Sequence, residues 1–195
     1  MFIDIAIPSG NEEKFIEVAK KLDTKELIFL YEDKKNMEKA NLSDSEDFKI
    51  YTGLIVQKNN IQKGKQDFNF APAKRQFFEN KHLDYVFEAE QEEKKDHLHY
   101  RKSGLNQIRC NLANKKEIII GFSFNQLLKE NNKEIILGRM MQNAKLCRKY
   151  GCEAKIASFA RNPYELRYRK DLIAFGQEIG LTHKEAKQAV MHRKL

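Results

Sequence analysis

Residues 97–110, HLHYRKSGLNQIRC, carry the side chains best suited to chemistry. On an extended segment, His97 and His99 project to one face, where two imidazoles could share a metal ion. They would need a third and usually a fourth donor, and His82, His183 and His192 stand at no spacing that supplies one. No His-Glu-x-x-His or Asp-x-Asp pattern occurs. The alternative chemistry is anion binding. Ser103-Gly104 precedes Leu105, Ile108 and Leu112, which are spaced as one helix face. Tyr100, Arg101 and Lys102 are therefore predicted at a helix N-terminus, whose free N–H groups attract phosphate.

A second basic cluster, Arg161 with Arg167, Arg169 and Lys170, follows a strand-like run and again precedes a helical pattern. In α/β folds the C-terminal ends of strands and the N-terminal ends of helices share one rim, so the two clusters are predicted to meet there. Covalent catalysis has less support. Ser103-Gly104 and Ser123 lack the Gly-x-Ser-x-Gly elbow, and Cys110, Cys147 and Cys152 have no histidine beside them in sequence. Three cysteines without a Cys-x-x-Cys spacing also argue against a disulfide framework or a structural zinc site, and reduced, mostly buried thiols are expected.

The elements that must position these groups follow from periodicity. Short apolar runs at residues 2–7, 27–31, 50–56, 85–87, 118–122 and 154–159 have strand length, and helical patterns at 12–22 and 137–150 lie between them. Strands alternating with helices imply parallel pairing through crossovers, hence an α/β class with helices outside. Asn162-Pro163-x-Glu165 is a helix-start signal for a helix that ends at Gly180, and Thr182-x-x-Glu185 is a second capping box. The charge-rich stretches 32–47 and 88–96 are expected to be solvated loops.

With 195 residues, 41% of them hydrophobic, one domain spanning residues 1–195 is expected. No apolar run approaches membrane-spanning length and the N-terminus lacks a signal-peptide pattern, so a soluble, cytoplasmic protein with no membrane partner is expected. The formal net charge of +8 is unevenly spread. Residues 1–100 hold 16 Lys/Arg against 20 Asp/Glu, and residues 101–195 hold 20 against 8. A half-chain so basic points to a polyanion partner, since counterion release from phosphates supplies binding free energy.

Three segments add a resemblance: His99-Tyr100-Arg101-x-Ser103-Gly104-Leu105-Asn106-Gln107, Ile119-Ile120-Gly121-Phe122-Ser123-Phe124, and Ser158-Phe159-Ala160-Arg161-Asn162-Pro163-Tyr164-Glu165-Leu166-Arg167. Together they resemble the archaeal ribonuclease P protein component 3 family, which is related to eukaryotic ribonuclease P and MRP subunits. The resemblance implies a distorted small β/α barrel, TIM-barrel-like, of the polymerase-and-histidinol-phosphatase type. Metal-dependent members of that superfamily carry a His-x-His on the first strand; here residues 2–7 contain no histidine.

The implied function is that of a ribonuclease P protein subunit, which binds and stabilises the catalytic RNA while that RNA removes the 5′ leader from precursor tRNA. The implied partners are ribonuclease P RNA, precursor tRNA and a second small protein subunit. Mg2+ is expected on the RNA and no cofactor on the protein, which alone is not expected to be catalytic. Arg75 matches a basic position of the family, so the expected RNA-binding set is Arg75, His99, Arg101, Lys102, Asn106, Arg161, Arg167 and Lys170. Two other readings stand beside this one: a metal-dependent phosphoesterase of the same superfamily, and a non-catalytic basic scaffold in a ribonucleoprotein.

Overall fold

The computed structural model describes residues 2–40, 42, 44–45, 47–58, 61, 64–92, 96, 98–99 and 101–191. In chain order the elements are β1 (Ile3–Ala6), α1 (Glu12–Lys21), β2 (Glu26–Tyr31), α2 (Lys34–Lys39), β3 (Lys49–Ile55), β4 (Phe68–Pro72), α3 (Arg75–Phe78), β5 (Tyr85–Phe87), α4 (Gln107–Lys115), β6 (Ile119–Ser123), α5 (Phe124–Lys129), α6 (Lys133–Tyr150), β7 (Ala154–Ala157), α7 (Arg169–Glu178) and α8 (His183–Ala189). The seven strands pair in sequence order and every pairing is parallel. This is an α/β, TIM-barrel-like arrangement, a nearly closed barrel with its helices outside.

Side chains of alternate strand residues fill the barrel with Ile5, Ile28, Leu30, Phe70, Tyr85, Phe87, Ile119 and Phe159. The Phe70 and Tyr85 rings stack at 4.4 Å and the Phe87 and Phe159 rings at 5.6 Å, so the interior is a packed core rather than a pore. The opposite strand faces meet the helices. Phe15 and Ala19 of α1 pack with Leu27 and Phe29, and Met140, Ala144 and Cys147 of α6 pack with Ile118, Ile120 and Phe122.

The seam between β1 and β7 is closed with few backbone bonds. Ile7 N–H donates to Ala160 O at 2.7 Å and Ala160 N–H to Ile5 O at 3.1 Å. Below them the Asp4 carboxylate bonds Ser158, and the Lys155 Nζ donates to Ile3 O at 3.0 Å and Met191 O at 3.2 Å. After α8 the chain crosses beneath the N-terminal strand ends, where Ile3 N–H donates to Val190 O and Phe2 bridges Met191.

Four local expectations are corrected. Phe68–Pro72 is a seventh strand that periodicity did not mark: it has no β-branched residue and ends in proline. Within the expected loop 32–47, Asp33 caps the short helix α2, which buries Met37. The Asn162 capping box starts only a 3₁₀ turn, Pro163–Glu165, because Leu166 and Tyr168 are extended with ψ 146; α7 begins at Arg169. Within the expected solvated loop 88–96, Ala89 and Glu90 are buried.

Candidate nucleic-acid interface

Residues 88–106 leave the end of β5 and return to the start of α4, and a buried polar network fixes this excursion against α6. Arg139 and Asn143, one turn apart on α6, are both buried. Asn143 Nδ2 donates to Glu90 Oε1 and to Ser103 O, each at 2.7 Å, and Arg139 Nη1 donates to Glu90 O at 2.6 Å. Arg139 Nε also donates to Asp96 Oδ1 at 2.9 Å, and the same oxygen accepts the Lys102 N–H at 2.9 Å. Arg109 on α4 pairs with Glu92 and donates to Gly104 O.

The electrostatics follow from burial. Removal from water pushes the Glu90 carboxyl up to about 7, against the Asn143 amide and the Arg139 charge, which favour the ionised form. Burial also raises Asp96, but the Lys102 N–H and the Arg139 guanidinium outweigh it and hold this carboxyl below its usual range. Gly104 sits at φ +84, and a Cβ there would fall 1.9 Å from Ala89 O, so the excursion closes only on glycine. Outside this frame Arg101 is exposed, its guanidinium against Gly138 and its carbonyl accepting from Gln142 Nε2 at 3.3 Å.

The second cluster is organised by Glu165. Its Oε2 accepts the N–H groups of Arg161 and Asn162 at 2.9 and 3.0 Å and the Asn125 amide at 2.6 Å, while Oε1 pairs with Lys129 at 2.7 Å. Arg167 donates its N–H to Ser158 Oγ at 3.0 Å, and its guanidinium lies 5.5 Å over the Phe124 ring. Arg161 is exposed and reaches Glu32 at 3.2 Å; Tyr164, three residues on, is 71% exposed. Burial raises the pKa of the half-buried Glu88 at the barrel mouth, Arg161 opposes this, and Glu130 and Glu32 add to it.

The predicted residues are thus divided. Arg75 begins α3 just beyond β4, paired with Glu79 at 3.5 Å, and lies at the same end of the barrel as the two clusters. His99 is exposed; His97 and Tyr100 fall outside the described residues. Arg101 and Lys102 are not at the helix N-terminus itself, because Asn106 caps α4 by accepting the Arg109 N–H at 3.0 Å. Ile108, expected on the buried face of that helix, is 55% exposed.

Gln91 donates to Glu130 at 2.5 Å, and Lys129, beside Glu130 in sequence, pairs with Glu165 of the second cluster. Lys170 lies elsewhere. It lines a groove with Phe2, Asp23 and Lys25, at the N-terminal ends of β1 and β2, opposite Arg161. The 3₁₀ turn and the extended Leu166–Tyr168 segment carry the chain down the barrel before α7 begins. Arg109, Arg139, Asn143 and Glu90 were missed as organising residues. The one signal was an arginine and an asparagine four apart on the apolar face of a helix.

Among the described residues no group of three or more His, Cys, Asp or Glu side chains is disposed to hold a metal ion. No helix among them is long and apolar enough to cross a membrane.

Comparison with known proteins bears on these clusters. Over 92 residues the chain is 32% identical to ribonuclease P protein component 3 of Methanosarcina mazei; the match spans 46% of this chain and only 38% of that protein. A chain in the cryo-EM structure of archaeal ribonuclease P with mature tRNA superposes with a TM-score of 0.73 at 19% identity, covering 96% of this chain and 86% of that one. Histidinol phosphate phosphatase from Lactococcus lactis, crystallised with zinc, L-histidinol and phosphate, shares the fold at a TM-score of 0.56 and 9% identity, covering 93% and 94%. The family model described as RNase P subunit p30 matches residues 95–194, the half that holds both basic clusters, and the chain belongs to that family.

Proposed function

We propose that this chain is a protein subunit of ribonuclease P that binds and stabilises the catalytic RNA for removal of the 5′ leader from precursor tRNA. The observation that carries the reading is a coincidence of position: the family match covers residues 95–194, and residues 101–195 hold 20 of the 36 Lys/Arg but only 8 of the 28 Asp/Glu. The RNA face consists of Arg75, His99, Arg101, Lys102, Arg161 and Arg167, with the exposed Tyr164 ring available to stack on an unpaired base. Lys170 is left out because it lies at the opposite end of the barrel, and Asn106 because its side chain caps α4. Mg2+ is carried by RNA phosphates, a second small protein subunit pairs with this one, and the complex works in the cytoplasm.

Binding of a cognate ribonuclease P RNA, measured by fluorescence anisotropy over a range of salt concentrations, tests the assignment. Each lost phosphate contact lowers the log–log salt slope by about one unit. Arg101→Ala and Lys102→Ala are expected to lower it, and Lys170→Ala to leave it unchanged. Folded Arg101→Ala and Lys102→Ala variants with wild-type affinity and slope would remove this face from the RNA.

A further inference from the structure

The three cysteines, far apart in sequence, converge in one place. Cys110 comes from α4, Cys147 from the last turn of α6 and Cys152 from just before β7, and all three are free and buried. The end of α6 explains the closest approach. Gly151 takes φ +67, so the chain reverses in a left-handed turn and the Cys152 N–H bonds back to Cys147 O at 2.9 Å. That bond is the outer one of a Schellman turn, a geometry that sets the side chains of its first and last residues against each other. Here those residues are Cys147 and Cys152. The Cys152 S–H also donates to Cys110 O at 3.2 Å.

The three sulfurs are not equivalent. Cys147 and Cys152 both line an open groove with Arg148, Glu185, Gln188 and Met191, Cys152 the more exposed at 9% against 2%, whereas Cys110 is 0% exposed. The neighbouring thiols of Cys110 and then Cys147 pull the Cys152 pKa down, against its burial, which pushes it up. The same contacts push both neighbours up, keeping them protonated. A thiol at the edge of a groove with a second, more buried thiol beside it is the arrangement of a peroxide-sensitive pair.

We infer that hydrogen peroxide converts Cys147 and Cys152 into a disulfide, with Cys152 as the attacking sulfur and Cys147 as the resolving one. The Cys152 thiolate attacks one peroxide oxygen, forming an S–O bond as the O–O bond breaks; the departing hydroxide takes a proton and leaves as water. The Cys147 sulfur then displaces the oxygen of the Cys152 sulfenic acid, forming S–S, and the lost S–H proton leaves with that oxygen as a second water. Two electrons pass from the two thiols to the peroxide, and a dithiol reductant reverses the change by exchange. The product covalently joins the last turn of α6, the helix that anchors the basic excursion, to Cys152, two residues before β7.

The test uses the full chain, treated with hydrogen peroxide, blocked with an alkylating reagent while folded, and read by intact mass and peptide mapping. The expected result is a loss of two hydrogen atoms, two alkylatable thiols fewer after unfolding, and a linked Cys147–Cys152 peptide that dithiothreitol releases. In Cys152→Ser the linkage is lost, and in Cys147→Ser oxidation stops at a sulfenic acid that dimedone traps on Cys152. Both variants are checked for native circular dichroism, and serine is close enough in size to keep the fold. A linkage through Cys110, oxidation of Cys152 to sulfinic acid without any linkage, or thiols that stay unreacted where glutathione is oxidised would each overturn the inference.

Discussion

The Asp4 carboxylate of β1 takes the backbone N–H of Ser158 on Oδ1 and its hydroxyl on Oδ2, each at 2.6 Å, across the seam where β1 and β7 lack a ladder. Oδ1 also accepts the Ile5 N–H at 2.8 Å, and both residues are fully buried. Burial raises the Asp4 pKa, while the Ser158 and Ile5 bonds and the Lys155 charge oppose it. A two-point side-chain clamp therefore replaces backbone pairing at the closure of the barrel. Asp4→Ala leaves the Ser158 N–H and hydroxyl buried without this acceptor and is expected to destabilise the fold by about 2–4 kcal/mol. Ser158→Ala, which removes only the hydroxyl, is expected to lose about 1–2 kcal/mol. Urea melts compare the two, and equal losses would mean that the backbone half of the clamp contributes nothing.

Two buried groups give opposite slopes of stability with pH. Burial raises Glu90 to about 7, so between about 4.5 and about 7 the folded chain holds a proton that the unfolded chain has released, and stability falls as pH rises through this window. Burial lowers Lys155 to about 7, so between about 7 and 10.5 the unfolded chain holds the extra proton, and stability rises with pH there. Glu90→Gln is expected to flatten the lower limb and Lys155→Met the upper one. Denaturation midpoints from pH 4 to 10 check this, and an unchanged acid limb in Glu90→Gln would assign that slope to other groups.

Gly104→Ala sets a methyl group against Ala89 O at a positive φ, and only displacement of the excursion relieves the clash. The expected loss is roughly 2–4 kcal/mol, with faster amide exchange concentrated between residues 88 and 106. A substitution without effect on exchange there would show that the network around Glu90 does not depend on this turn.

The helix starts and most strands could be read from sequence because their signals are local. Thr182 and Glu185 cap α8 through a reciprocal box, and the Asn162 box is equally complete. Yet the Asn162 box yields a single turn, because Leu166 is buried and the Arg167 N–H goes to Ser158 Oγ, nine residues back. The site was less legible because its partners are remote. Glu90 lies in an acidic run that reads as solvent-exposed, and the amide that receives it, Asn143, is 53 residues away. The cysteines likewise showed only number and spacing, while their convergence depends on how α4 and α6 pack around β7.

Glu165 gathers four donors, whereas the Asn162 side chain accepts backbone N–H groups of its own turn, that of Tyr164 at 3.0 Å. Glu165→Ala is accordingly expected to cost about 2–3 kcal/mol and Asn162→Ala about 0.5–2 kcal/mol. Thermal melts rank them, and a reversed order would mean that the turn is held by its cap rather than by the carboxylate.

The most direct measurement of the central claim is leader removal from precursor tRNA by a cognate ribonuclease P RNA, titrated with Mg2+, with and without this chain. Positive side chains replace part of the cation atmosphere that a folded RNA requires, so the chain is expected to lower the Mg2+ needed for cleavage. It is expected to release no leader without the RNA. An unchanged Mg2+ requirement, or cleavage by the RNA-free protein in a preparation shown to be nuclease-free, would contradict the account.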